Sequence, residues 1–488
     1  MLTAEVDDHI TKIYEIKKRL GKGAYGIVWK AVDKKTKDIV AVKKIFDAFR
    51  NQTDAQRTFR EIMFLKEFGD HPNIITLHNI YKANNNRDIY LVFEYMDTDL
   101  HNVIRQGNIL NDLHKRFIMY QLFKATKYIH SGNVIHRDQK PSNILINSRC
   151  HCKVADFGLA RSVASPTKSL GDLFDPALTD YVATRWYRAP EILVSSKRYT
   201  KGIDIWSLGC ILAEMLLGQP LFPGSSTINQ LEMIMSTIPE PSSEEVERIC
   251  PGYGSSLLRR APAGAARQPL SCRLGQAPPD AVDLVSKLLL FDPGKRLTAV
   301  EALAHPYVHR FHSEASEPSM RGDVLLPLQD DVQLSVEEYR SKLYEMVALG
   351  PARPRQRPPQ RPGPERECGT AGERHHGRQQ CAHEARGRHA QPPGSRPAEA
   401  SGQQAPGQML QKMTNHVWEV TRYKSRTSGS KLEQGNQLKP RQAGLLRPAE
   451  SRSRKLPPPA TGKQFNSYDH RYGTVTQSAL LELRYSCN

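Results

Sequence analysis

Long apolar runs are missing from these 488 residues. Nothing reaches the roughly 18 consecutive apolar residues that a membrane-spanning helix needs, so no spanning segment is expected. The opening, MLTAEVDDHITKI, lacks the apolar centre of a secretory signal and the second-position glycine of a myristoylated chain. Cysteine is scarce, eight in all, and too scattered for a disulfide framework. Cys150-His151-Cys152 is spaced too tightly for a structural zinc site, so ordinary thiols in a reducing compartment are expected. Cys487 stands one residue from the end, which excludes prenylation. Internal repeats are absent. Aliphatic side chains all but vanish from one stretch, PARPRQRPPQRPGPERECGTAGERHHGRQQ, residues 351–380. Such a segment cannot bury enough apolar surface to offset its ordering entropy, so 351–488 reads as a disordered basic tail. A soluble, intracellular protein is the expectation.

Positive charge is present in excess, but unevenly. Residues 351–488 hold 24 Lys+Arg against 10 Asp+Glu, whereas the first 350 hold 45 against 41. The tail therefore carries the excess, and with few interleaved aromatics it supports at most non-specific electrostatic contact with nucleic acid. Before residue 350, strand-like and helix-like runs alternate. YEIKKRLGKG, YGIVWKAVDKK and DIVAVKKI read as three strands, and DIYLVFEYM as a buried one. DAQRTFREIMFLKEF has helical spacing, with Phe59, Ile62, Met63 and Leu65 on or near one face. From about residue 110 the runs turn helical, in LHKRFIMYQLFKATKYIHSG, DIWSLGCILAEMLLG and AVDLVSKLLLF. An α+β protein follows, with a small β-rich lobe ahead of a larger helical one.

GKGAYGIV places glycines at 21, 23 and 26. A lone G-x-G-x-x-G is weak, and here a strand follows it rather than the helix of a dinucleotide site. Glycines in a hairpin turn let backbone N–H groups lie over phosphates. Lys43, inside the apolar strand VAVK, would reach those phosphates; a buried ammonium needs a partner, and Glu61 is the candidate. HRDQKPSN then packs an acid, a cation and an amide into six positions. Transfer of a γ-phosphoryl group needs a base-like carboxylate near the acceptor hydroxyl, a cation on the moving phosphate and ligands for magnesium. Asp138, Lys140 and Asn143 match those needs in turn, and Asp156 of VADFGLAR matches the second metal ligand. Singly, each is as readily a solvated acid, a surface lysine, a capping amide or a turn residue. Jointly, in this order, they are not.

The six motifs, with RAPE at 188–191, resemble the eukaryotic protein kinases over about residues 14–311. TDYVATRWYRAPE, with Thr179 and Tyr181 one residue apart, narrows the resemblance to the mitogen-activated protein kinases. HRDQKPSN, VFEYMDTDL and the long basic tail narrow it to an atypical branch of that family. The resemblance implies a bilobal kinase domain (14–96 and 97–311), an extension packed back on it (312–350) and the tail (351–488). It implies ATP and magnesium as cofactors, and protein substrates phosphorylated at Ser/Thr-Pro sites. The nucleotide would lie against Leu20, Gly21, Lys22, Gly23, Ala24, Tyr25, Gly26, Ile27 and Val28, with Lys43, Glu61, Glu94 and Met96. Phosphate on Thr179 would meet Arg57, Arg60, Arg137 and Arg161, and phosphate on Tyr181 would meet Arg185 and Arg188. Glu191 and Arg296 would form a buried ion pair.

Relatives carry an acidic docking cluster after the last kinase helix, where VHRFHSEASEPSM offers only Glu314 and Glu317. That favours self-phosphorylation over docking of an activating kinase. YEMV, Tyr344 to Val347, fits either packing on the kinase or strand addition to ubiquitin-like autophagy proteins. By resemblance the tail would bind further partners, and placement would be cytoplasmic and nuclear, with the centrosome or cilium base and autophagic vesicles besides. A pseudokinase scaffold is the competing class, but no catalytic residue is missing. Gln139, wedged between two functional residues, is expected to hydrogen-bond inside the lobe.

Overall fold

The structure, a computed structural model, describes residues 5–23, 26–163, 185–194, 199–249, 267–328 and 334–348. Ala24, Tyr25, Thr179, Tyr181 and the tail lie outside them.

Five antiparallel strands form the sheet of the small lobe, β1 (Tyr14–Gly23), β2 (Gly26–Asp33), β3 (Ile39–Ile45), β4 (Leu77–Lys82) and β5 (Ile89–Glu94), in the order β1-β2-β3-β5-β4. Strand side chains alternate between faces, and both faces are covered here. That explains why β5 reads as a continuous apolar run. On the outer face Tyr14, Trp29, Val42, Tyr90 and Val92 form a cluster with Val6 and Ile10. Ile10 belongs to α1 (Asp8–Ile13), a helix that the sequence pattern did not disclose. Lys44, one residue from Lys43 and therefore facing the other way, sits 3.5 Å from both Asp7 and Asp88 under α1.

The inner face packs on α2 (Gln52–Phe68), whose Asn51 cap accepts a hydrogen bond from the Asp54 N–H at 2.8 Å. Its apolar residues bury as expected, but so do Arg60 and Glu61, because the helix is wedged between sheet, large lobe and C-terminal helix. A short pair of elements, β6 (Thr98–Asp99) and α3 (Leu100–Arg105), leads into the large lobe. There α4 (Asp112–Ser131) runs through the core and is followed by β7 (Val134–Ile135), β8 (Ile144–Ile146), β9 (Cys152–Val154) and β10 (Arg161–Ser162). Then come α5 (Pro190–Leu193), the apolar α6 (Gly202–Leu217), α7 (Thr227–Thr237), α8 (Ser243–Ile249), α9 (Leu270–Arg273), α10 (Pro279–Leu288) and α11 (Ala299–Ala304). No described helix is long and apolar enough to cross a membrane.

The chain returns to the small lobe as α12 (Val336–Ala348). Tyr339 meets Phe59 of α2 at 5.7 Å between ring centroids, and Tyr344 meets Phe49 at 5.8 Å. Leu343 is fully buried, and Gln52 Nε2 donates to Leu334 O at 2.6 Å. Residues 344–347 are thus helical, and the first of them packs on the kinase core. Strand addition through them would require this turn of α12 to unwind.

Candidate active site

The turn after β7 gathers the acid, the cation and the amide. Lys140 Nζ lies 2.8 Å from Asp138 Oδ2; Asn143 Nδ2 donates to Asp138 O at 2.8 Å and to Oδ2 at 3.0 Å. All three are buried. With its N–H groups turned to Asp138, the amide of Asn143 keeps its oxygen for other use. His136 orients the turn: its Nδ1 accepts from the Asp138 N–H at 3.3 Å and its Nε2 donates to Ala155 O at 3.2 Å, while its ring meets Phe157 edge-on at 4.8 Å.

Sequence reasoning missed the group that anchors this turn. Asp204, at the start of α6, accepts the backbone N–H groups of His136 and Arg137, both at 2.8 Å, and bonds His130 Nε2 at 2.9 Å. Burial would raise its carboxyl, but these hydrogen bonds hold it below the usual range. The anchor matters because Arg137 has φ +70°, a strained position for a long side chain. The available signal was an acid opening an otherwise apolar helix.

Across the cleft Lys43 Nζ lies 2.9 Å from Glu61 Oε1. Burial opposes the ammonium, yet Glu61 and then Asp156 raise its pKa. Asp156 is half-buried with φ +64°, and its loss of solvation is outweighed by Arg57, Lys43 and Lys140, which lower its pKa. Its Oδ2 accepts no hydrogen bond, although Arg57 Nη2 stands 3.6 Å away. A buried carboxylate oxygen without a hydrogen bond is a ligand that suits a hard divalent cation. Asn143 and Asp156 are the residues here that would hold magnesium.

The hairpin that would cover the phosphates is closed by the pair Gly23–Gly26. A Cβ on Gly26 would collide with Lys44 O of the neighbouring strand, so only glycine fits there. Leu20, Ile27 and Met96 are buried, while Val28 is half-buried, Lys22 is exposed and Gly21 precedes it in β1. Glu94 turns its carboxylate to the Thr76 N–H at 2.8 Å and to Lys153 at 2.7 Å. Any contact it makes with a nucleotide therefore falls to its backbone.

Of the six arginines expected near phosphates, Arg57 stands beside Asp156, and Arg60 is buried on α2. Arg137 Nη1 donates to Leu159 O at 3.3 Å and Arg161 Nη1 to Ala160 O at 2.7 Å. Arg185 Nη1 donates to Ser225 O at 3.2 Å; Arg188 follows on the same short turn. The phosphate sites themselves fall outside the described residues. Arg296 and Glu191 form a bidentate pair, both contacts 2.7 Å. The remaining guanidinium donors reach Leu290, Gly202 and Phe291 carbonyls, which satisfies this buried charge. Gln139 is buried, and its Nε2 donates to Thr126 Oγ1 of α4 at 3.0 Å.

Residues 14–308 match the protein kinase domain. The chain is 65% identical over 348 residues to mitogen-activated protein kinase 15 of Xenopus laevis, covering 70% of this chain and 58% of that protein. It is 57% identical over 346 residues to mitogen-activated protein kinase 15 of Caenorhabditis elegans (71% and 73% covered). Against extracellular signal-regulated kinase 2 of Dictyostelium discoideum it is 54% identical over 347 residues (71% and 93% covered). A kinase domain complete in its motifs, joined to relatives of this kind over 346 to 348 residues, has one consequence: the chain belongs to the protein kinases, as a mitogen-activated protein kinase of the atypical branch.

Proposed function

We propose that the chain is an active serine/threonine kinase that transfers the γ-phosphate of ATP to Ser/Thr-Pro sites in proteins, and that it switches itself on at Thr179 and Tyr181. The observation that carries activity is the bonded cluster of Asp138, Lys140 and Asn143 facing a formed Lys43–Glu61 pair and the open oxygen of Asp156. Asp138 would orient the acceptor hydroxyl and take its proton, and Lys140 beside it would neutralise charge on the moving phosphate. Lys43 would hold the nucleotide's phosphates, with Glu61 fixing its direction. Magnesium, when bound, supplies charge neutralisation at the phosphates.

Self-activation is supported by the missing acidic dock. Glu317 is 3% exposed, with its carboxylate taken by the Ser313 N–H at 3.0 Å and His312 at 2.9 Å. Of the two acids in that segment, only Glu314 faces solvent. Roles in autophagy and cilium formation, with placement in cytoplasm, nucleus, cilium base and autophagic vesicles, join the proposal by resemblance. The deciding test is phosphorylation of a Ser-Pro peptide by Asp138→Asn and Lys43→Arg. Each should lose at least about 100-fold in rate while keeping the wild-type circular dichroism spectrum. An Asp138→Asn chain retaining more than about one per cent of wild-type rate would remove Asp138 from the chemistry.

A further inference from the structure

Residues 131–137, the stretch that leads into the catalytic turn, are held one after another from three directions. The segment after α11 takes the first three. Ser131 Oγ accepts the Met320 N–H at 2.8 Å, Gly132 O accepts the Val324 N–H at 2.8 Å, and Asn133 Nδ2 donates to Asp323 Oδ1 at 2.6 Å. The approach is close: a Cβ on Gly132 would lie 2.8 Å from Val324 Cγ2, and Val324 is buried. The stem of the activation segment takes the next contacts. Asn133 O accepts the Val163 N–H at 2.7 Å, and Val134 and Ile135 of β7 pair with Ser162 and Arg161 of β10. Asp204 then holds His136 and Arg137 through their N–H groups.

At Asn133 these grips meet. Its backbone stands at φ +52°, a left-handed conformation that asparagine tolerates better than most residues. Its amide is used at both ends, because the oxygen accepts from Lys201 Nζ at 2.6 Å while the nitrogen donates to Asp323. Lys201 is the residue before α6, the helix that carries Asp204. Cation, amide and carboxylate thus form a charge-assisted chain from α6 through Asn133 to the segment after α11. A side chain with both an acceptor and a donor is what that chain requires. Aspartate in its place would keep Lys201 but oppose Asp323.

We propose that Asn133 is a positioning residue for phosphoryl transfer: held by Lys201 and Asp323, it sets the stem of the activation segment against the strand that delivers Asp138. The segment after α11 thereby acts on the active site through the backbone of residues 131–135. This role rests on the phosphoryl transfer proposed for Asp138. A contact that fixes register, with no bond to the nucleotide, bears on the chemical step, so loosening it should lower kcat and leave nucleotide binding alone. Asp323 is exposed and Asn133 half-buried, so the link can be cut without opening the core.

The test uses the full-length chain, a Ser-Pro peptide, ATP titration and hydrogen exchange read by mass spectrometry. Asn133→Asp keeps the size and the tolerance for positive φ but sets two carboxylates against each other. It should lower kcat about fivefold, leave KM for ATP within about twofold, and speed exchange at residues 161–163 about fivefold. Asp323→Ala cuts the same link from its exposed side and should lower kcat about threefold. Asn133→Asp combined with Asp323→Asn again sets an amide against a carboxylate, and should return kcat and exchange to within about twofold of wild type. A merely structural loss would show no such rescue. Wild-type kcat in either single variant would overturn the proposal, and so would a loss that the combined variant leaves uncorrected. A raised KM for ATP with kcat unchanged would place the effect on nucleotide binding and overturn it too. A wild-type chain that phosphorylates no peptide would fail the kinase reading instead, and exchange at residues 161–163 would still decide whether Asn133 holds the stem.

Discussion

Gln139 and Asp204 show how differently two polar residues can serve one turn. Gln139 donates to Thr126, but its Oε1 accepts nothing while buried. Losing the hydrogen bond costs roughly 0.5–1.5 kcal/mol, and removing a buried unpaired carbonyl returns a similar amount. Gln139→Leu should therefore shift unfolding in urea by less than about 1 kcal/mol and leave kcat/KM within about twofold. A tenfold fall in kcat/KM would give Gln139 a part in substrate handling instead. Asp204→Asn is the contrast. An asparagine must turn an N–H toward a backbone N–H of His136 or Arg137, and the strained Arg137 loses its anchor. Stability should fall by about 2–4 kcal/mol, and kcat should fall more than KM rises. Gln139's inward turn was expected from its place between two functional residues. Asp204's role was not, because its partners lie 67 to 74 positions away in the chain.

At the level of elements, periodicity placed the four strands and four helices that sit deepest, because a buried run has to repeat at its element's own period. It missed α1 and β4. The first is too short to show a period. The second is an edge strand whose residues are half-buried with no alternation. The helical form of residues 344–347 follows from Phe49 and Phe59, almost 300 positions upstream, which no local pattern contains. Removing α12 tests its weight: a chain ending near 330 should expose the α2 face and lose most activity, because α2 carries Glu61. One ending near 350 should keep both, as judged by thermal unfolding and peptide phosphorylation. Within α6, burial raises the Glu214 carboxyl to about 7, against the lowering hydrogen bond that Tyr187 OH donates at 2.5 Å. A carboxyl raised on folding holds its proton in the native state while the unfolded chain releases it above about 4.5, so stability falls with pH across that window. Glu214→Gln removes the dependence. Its stability relative to wild type should rise between about pH 5 and pH 7 and then level off; a difference flat with pH would mean the carboxyl is ionised throughout.

The whole molecule divides where its charge divides. Matches to relatives extend over 346 to 348 residues, about the length of chain that ends with α12, while the basic excess begins just beyond. The residues proposed for phosphoryl transfer all lie in the first part, and so does the proposed Thr179-Asp-Tyr181 switch. In the described segment after α11, Glu314 alone of the two acids is exposed, a thin target for a basic docking peptide of an activating kinase. These facts together favour a molecule that phosphorylates itself. Protein made in bacteria, where no upstream kinase is present, should carry phosphate on Thr179 and Tyr181 by mass spectrometry, both at full length and when ended near 350. The Asp138→Asn chain made the same way should carry neither. Thr179→Ala should lose much of its activity, since Arg57, Arg60, Arg137 and Arg161 would lack the anion that joins helix, catalytic turn and activation segment. Wild-type protein that emerges unphosphorylated, and stays so with ATP and magnesium, would refute self-activation. An external kinase would then have to recognise this domain without an acidic dock.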